Sequence, residues 1–159
     1  MKHLKKLIVL CTFLGITISY NTSFVQAQFW QQTKGPYGGG FKTLAIGSCG
    51  NVFVASDDYF RKGFYHSSNY GKSWEQISIG LTDLYIRSLL IHPNGFVFAG
   101  TWTTGNDSGI YRSTDNGKTW QYSGLKYKDV EALTLSKDGI IYAGTHGSGI
   151  YRSSNIGES

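Results

Sequence analysis

The apolar residues of this chain fall into short runs broken by glycine turns. Leu44-Ala45-Ile46, Leu89-Leu90-Ile91 and Leu133-Thr134-Leu135 lead into Gly-Ser-Cys-Gly, His-Pro-Asn-Gly and Ser-Lys-Asp-Gly. Each turn opens onto a second run: Asn51-Val52-Phe53-Val54-Ala55-Ser56, Phe96-Val97-Phe98-Ala99-Gly100-Thr101 and Ile140-Ile141-Tyr142-Ala143-Gly144-Thr145. Short β-branched and aromatic runs bounded by Gly with Asn or Asp are strand signals. A third run, Gly-Ile-Tyr-Arg-Ser at Gly109 and Gly149, has a counterpart in Gly63-Phe64-Tyr65-His66-Ser67, and a fourth begins near Trp74 and Trp120. Each unit therefore predicts four strands, A to D in chain order.

The turn between C and D is the most regular feature. Ser67-Ser68-Asn69-Tyr70-Gly71-Lys72-Ser73-Trp74 matches Ser113-Thr114-Asp115-Asn116-Gly117-Lys118-Thr119-Trp120, and Ser153-Ser154-Asn155-Ile156-Gly157-Glu158-Ser159 begins a third copy. The copies start 46 and 40 residues apart. Four strands recurring at that period is the spacing of propeller blades. In the turn itself, a short acceptor such as Asp115 takes backbone amide hydrogen bonds, Gly117 supplies a positive φ, and Trp120 packs over the hairpin. The motif resembles the Asp-box, or BNR repeat, of sialidase-type, sortilin-like, photosystem II assembly-factor-like and xyloglucanase-type propellers. Ser113 to Trp120 fits it in full, while Asn69 and Asn155 replace the Asp. The resemblance implies an all-β fold, an incomplete β-propeller of about three four-stranded antiparallel blades. It implies a structural role for Ser67, Asn69, Gly71, Ser73 and Trp74, for Ser113, Asp115, Gly117, Thr119 and Trp120, and for Ser153, Asn155 and Gly157.

Composition agrees, with 21 Gly, only 2 Pro and 24 aromatic residues among 159. The formal charge of +5 shrinks once its location is seen. Lys2, Lys5 and Lys6 precede the apolar run Leu7 to Ile18, and Val25-Gln26-Ala27 forms a small-residue cleavage signature. Residues 1–27 thus read as an export signal, predicting a secreted or periplasmic protein with no membrane association after cleavage. Without those lysines, Lys plus Arg falls from 15 to 12 against 10 acidic residues. That balance disfavours nucleic-acid binding. Cys49 is alone after cleavage, which excludes a disulfide framework.

Residues 28–159 then form one partial repeat array. Trp30 lies 44 residues before Trp74, so 28–32 is expected to be a D strand with no A to C strands before it. With two whole blades and part of another, the chain reads as an N-terminal portion of a longer propeller. Open blade edges predict self-association.

The B–C and D–A connections vary in length between units, and in a four-stranded meander they emerge on one face. Variable loops on a fixed scaffold mark the candidate binding face. It carries Asp57, Asp58, Tyr59 and Arg61 in the first unit, Trp102, Asn106 and Asp107 in the second and His146 in the third, with Tyr37, Tyr85, Tyr127, Lys128 and Asp129 in the D–A connections. Aromatic and polar residues together suit an extracellular glycan or protein partner. No cofactor or metal is expected, because the histidines lack ligand spacing. The expected function is a non-catalytic binding or assembly module. The alternative is part of a sialidase- or xyloglucanase-type glycoside hydrolase: Tyr37-Gly38-Gly39-Gly40-Phe41 followed by Ala55-Ser56-Asp57 loosely resembles the opening of the latter family, which makes Asp57 the one weak catalytic candidate.

Overall fold

Turns of a few residues can join only antiparallel neighbours, and the topology follows from that. The computed structural model describes residues 30–37, 39–56, 63–77, 81, 85–102 and 107–158. The first sheet runs β1 (Phe41–Ile46), β2 (Val52–Ser56), β3 (Gly63–Ser67), β4 (Glu75–Gln76); the second β5 (Tyr85–Ile91), β6 (Val97–Trp102), β7 (Ile110–Ser113), β8 (Gln121–Gly124); the third β9 (Val130–Leu135), β10 (Ile141–Thr145), β11 (Gly149–Ser153). All pairings are antiparallel between sequence neighbours. Strand β5 neighbours β1 on one side and β9 on the other. The A strands are therefore innermost, and the protein is an incomplete β-propeller.

The predicted A–B turns close where Gly falls, with Gly95 N–H bonded to the His92 carbonyl at 2.8 Å and Gly139 N–H to that of Ser136 at 3.1 Å. Two expectations need correction. Strand D of the first unit contracts to two residues, Glu75 and Gln76. Residues 30–33 are not in a strand, since no described strand offers them a pairing edge. The predicted export signal, residues 1–27, lies outside the described residues, and every described strand belongs to the compact unit Gln32–Ser159.

Side chains alternating along β2, β3 and β6 meet between the first and second sheets. Phe53, Ala55, Phe64, Ile86, Leu89, Val97 and Ala99 are buried there. Phe53 stacks on Phe64 at 5.8 Å, and Trp120 meets Phe64 edge-on at 5.5 Å. At about 25 cal/mol per Å², this apolar contact is the main force holding the two sheets together.

Each C–D turn is a small hydrogen-bond cage. In the second unit Gly117 N–H donates to Ser113 Oγ at 2.8 Å, and Asp115 Oδ1 accepts from Ser113 Oγ at 2.8 Å and from Thr119 N–H at 2.9 Å. Thr119 Oγ1 donates to Asp115 Oδ2 at 2.6 Å, and Trp120 Nε1 to the Gly117 carbonyl at 3.0 Å. The first unit repeats the cage with Gly71 N–H on Ser67 Oγ at 2.9 Å, Ser73 N–H on Asn69 Oδ1 at 2.9 Å and Asn69 Nδ2 on Ser73 Oγ at 2.8 Å. In the third, Gly157 N–H donates to Ser153 Oγ at 2.9 Å and Ser153 Oγ to Asn155 Oδ1 at 2.7 Å. These bonds pull Asp115 well below the usual carboxylate range, to about 2, with the Thr119 hydroxyl the largest contributor.

Candidate functional site

At the face where the B–C and D–A connections emerge, every inner strand breaks its register. The pairing skips Lys42 between Phe41 and Thr43, Arg87 between Ile86 and Ser88, and Glu131 between Val130 and Ala132. A bulge sets two residues of one strand opposite one of the other, bends the strand and re-aims a side chain, and bulges recur beside binding sites. The three bulged residues occupy one repeat position and all carry charge. Lys42 and Glu131 are exposed and Arg87 is half-buried. Because β1, β5 and β9 are consecutive neighbours, the bulges set a cation, a cation and an anion along one arc at the inner end of the sheets.

Aromatic side chains border that arc. The Arg87 guanidinium lies 5.3 Å from the Trp102 ring centroid, and Tyr85 meets Trp102 edge-on at 5.4 Å. Both rings stand at the ends of paired strands, Tyr85 opposite Trp102, so the scaffold fixes them. An indole held against a guanidinium limits the side chain's freedom and fixes the plane of its charge.

Farther out, the second and third units bind their loops together. Tyr111 Oη donates to the Asp107 carbonyl at 2.8 Å, Tyr127 N–H to that of Ser108 at 3.0 Å, and His146 N–H to that of Asp129 at 2.9 Å. Burial, and secondarily the Asp107 charge, pushes the Tyr111 phenol up; burial followed by Tyr111 does the same for Tyr122. Lys126 lies over Tyr127 at 5.0 Å and Lys128 over Tyr151 at 5.6 Å. Basic and aromatic groups thus continue along the rim.

Of the site residues expected from the sequence, Trp102, Asp107 and His146 lie on this face. Asp57, Asp58, Tyr59, Arg61 and Asn106 lie outside the described residues. Lys42, Arg87 and Glu131 were missed; the available signal was a charged residue recurring at one position of an otherwise apolar A strand. His66 is buried, between Glu75 Oε1 and Asn51 Oδ1 at 2.9 Å each and stacked on Phe53 at 4.5 Å. It fills the repeat position of Arg112 and Arg152 and belongs to the scaffold. Cys49 is an exposed free thiol at φ 57 in the first A–B turn. Among the described residues no three His, Cys, Asp or Glu side chains cluster as metal ligands would.

Comparison with known proteins places the chain among propellers. No family model matches. An oligoxyloglucan-reducing end-specific xyloglucanase of Emericella nidulans is 30% identical over 133 residues, covering 72% of this chain and 15% of the enzyme. Among solved structures, YCF48 bound to D1 peptide superposes with a TM-score of 0.53 at 22% identity, over 72% of this chain and 36% of that one. A protein of unknown function from Dyadobacter fermentans gives 0.45 at 22% identity, over 69% and 35%. The chain spans about one seventh of the enzyme's length and about a third of the solved chains.

Proposed function

We propose that this chain is exported through residues 1–27 and serves outside the cytoplasm as the propeller part of a non-catalytic binding or assembly module, with a polypeptide as its ligand. The observation that carries the reading is Arg87, set on a bulge and braced at 5.3 Å against Trp102. The mixed charges of Lys42, Arg87 and Glu131 suit the amides and charged side chains of a peptide better than the uncharged hydroxyls of a neutral glycan. The resemblance to a propeller seen with a peptide bound supports the same choice. Peptide and glycan arrays probed with the purified protein test it. Peptide capture weakened about tenfold by Arg87→Ala or Trp102→Ala is expected, a loss of about 1.4 kcal/mol. Retention on glycans alone would defeat it.

The second reading, part of a glycoside hydrolase, is favoured by the 30% identity to a xyloglucanase. A glycosidase needs two carboxyls flanking the scissile bond, and Asp57 would be one. Hydrolysis of xyloglucan oligosaccharides or an aryl sialoside, abolished by Asp57→Asn, would establish that reading in place of the first.

A further inference from the structure

The connection from β8 to β9 holds two bulky residues in a backbone region that favours glycine. Leu125 has φ 58 and Tyr127 has φ 64. Lys128 N–H donates to the Leu125 carbonyl at 3.1 Å, which makes Tyr127 the third residue of a tight turn with a positive φ at that place. Gly or Asn normally fills such a position, because a Cβ crowds the backbone there. A larger residue persists only where its surroundings hold it. Here Tyr127 N–H donates to the Ser108 carbonyl at 3.0 Å, and His146 N–H to that of Asp129 at 2.9 Å. The turn is fastened to the loops on both sides.

Burial does not offset the strain at Tyr127. The side chain is 63% exposed, and the Lys126 ammonium lies 5.0 Å from its ring centroid. Asparagine would make the same backbone bonds in a relaxed conformation. The ring is therefore displayed to solvent on a rigid, strained support, and such outliers gather at binding sites.

The neighbouring groups indicate the chemistry. Tyr111 and Tyr122 meet edge-on at 5.7 Å, and Tyr122 is itself exposed. Burial raises the Tyr122 phenol most, Tyr111 and Tyr127 raise it further, and so the three phenols share one patch. Lys126 stands within the same patch, where its charge opposes the effects of burial and Asp107 on Tyr111. Asp107 and Asp129 hold the loops through their main-chain carbonyls. Among the described residues neither Lys126 nor Lys128 is ion-paired with a carboxylate. Flat rings flanked by cations suit an apolar side chain with carboxylates beside it.

We propose that the turn Leu125–Lys128 is the anchor of the peptide site, where Tyr127 covers an apolar or aromatic side chain of the ligand and Lys126 and Lys128 meet Asp or Glu next to it. The inference rests on the reading of a polypeptide ligand and adds its class, an acidic segment with an apolar residue inside it. Tyr127 precedes the bulged Glu131 by four residues. An extended segment of that length spans about 13 Å, so one short peptide reaches from the turn to the bulge of β9.

Fluorescence polarisation with labelled hexapeptides, each a phenylalanine flanked by Glu, Gln or Lys, tests this on the purified protein. The Glu set should bind at least about tenfold tighter than the Gln set, and Tyr127→Asn and Lys126→Glu should each weaken it about tenfold, since exposed Tyr anchors dominate interfaces. A thermal melt separates display from support. Tyr127→Asn should unfold at the same temperature or up to about 5 °C higher, because it relieves strain and uncovers no core. A fall of more than about 3 °C would make the ring a structural element and overturn the proposal. A preference for the Gln or Lys set would overturn it too, as would binding lost in Arg87→Ala yet untouched by Tyr127→Asn; either result leaves the peptide reading standing. Binding of no set up to about 1 mM, or retention on acidic glycans alone, would remove both.

Discussion

Between the first and second sheets Trp120 packs edge-on against Phe64 and against the buried cluster that also holds Val97 and Ala99; between the second and third sheets the repeat counterparts Ile110, Ile141 and Ala143 line a cleft of about 390 Å³. The two interfaces share their turn cage and their alternation. What separates them is the fourth strand, which supplies a wedge to the first interface, whereas among the described residues none pairs with β11 at the second. A propeller of this type is thus held not only by flat sheets lying face to face but by one indole per junction, delivered by the outermost strand. The strand furthest from the axis contributes to the core because the residue just before it, Trp120, turns inward.

Removing the wedge from the complete interface should make it resemble the incomplete one. Trp120→Ala is expected to lower stability by about 3 to 5 kcal/mol in denaturant melts, the cost of truncating a large buried aromatic. A loss below about 1 kcal/mol would mean that the rest of the interface carries the load.

The turns offer a smaller contrast. The residue before the turn glycine is left-handed in all three, with φ 60 at Tyr70, 58 at Asn116 and 56 at Ile156. Asn tolerates that region, whereas a β-branched residue there is strained by about 1 kcal/mol. Ile156→Asn should accordingly stabilise the third sheet by about 1 kcal/mol, and thermal melts that show no gain would contradict the strain.

The smallest contrast is between Asp115 and Asn69. Asp115 is held near 2 against an ordinary 3.8, so the folded state binds its proton less readily than the unfolded chain. Its contribution is complete above the unfolded value and fades as pH falls from about 4 to 2. Asn69 makes the same backbone bond without a titrating group. The acid limb of the stability curve should flatten in Asp115→Asn, and an unchanged limb would show that other carboxylates govern it.

Sequence alone revealed the strands because each lies at a fixed distance from a turn glycine and a tryptophan, a signal that three copies reinforce. The cages were legible for the same reason: Ser113, Asp115, Gly117 and Thr119 bond within eight residues. Arg87 was not, since a bulge is a property of how β5 registers on β6 and neither strand shows it by itself. The strand expected at 28–32 was misjudged because its sequence is that of a fourth strand, whereas strand structure also requires an edge to pair with. Trp102 and Tyr85 were found as members of one face, but their contact with Arg87 needed the fold.

The central claim is that the junction between the second and third sheets takes the indole of a fourth strand. Extending the chain after Ser159 with Trp-Gln-Tyr-Ser-Gly, the sequence of Trp120–Gly124, supplies that strand covalently. The thermal unfolding midpoint of this extended protein, measured against one carrying Ala in place of the added Trp, should be higher by at least about 5 °C, the shift for a gain of roughly 2 kcal/mol in a domain of this size. Equal midpoints for the two extensions would contradict the account.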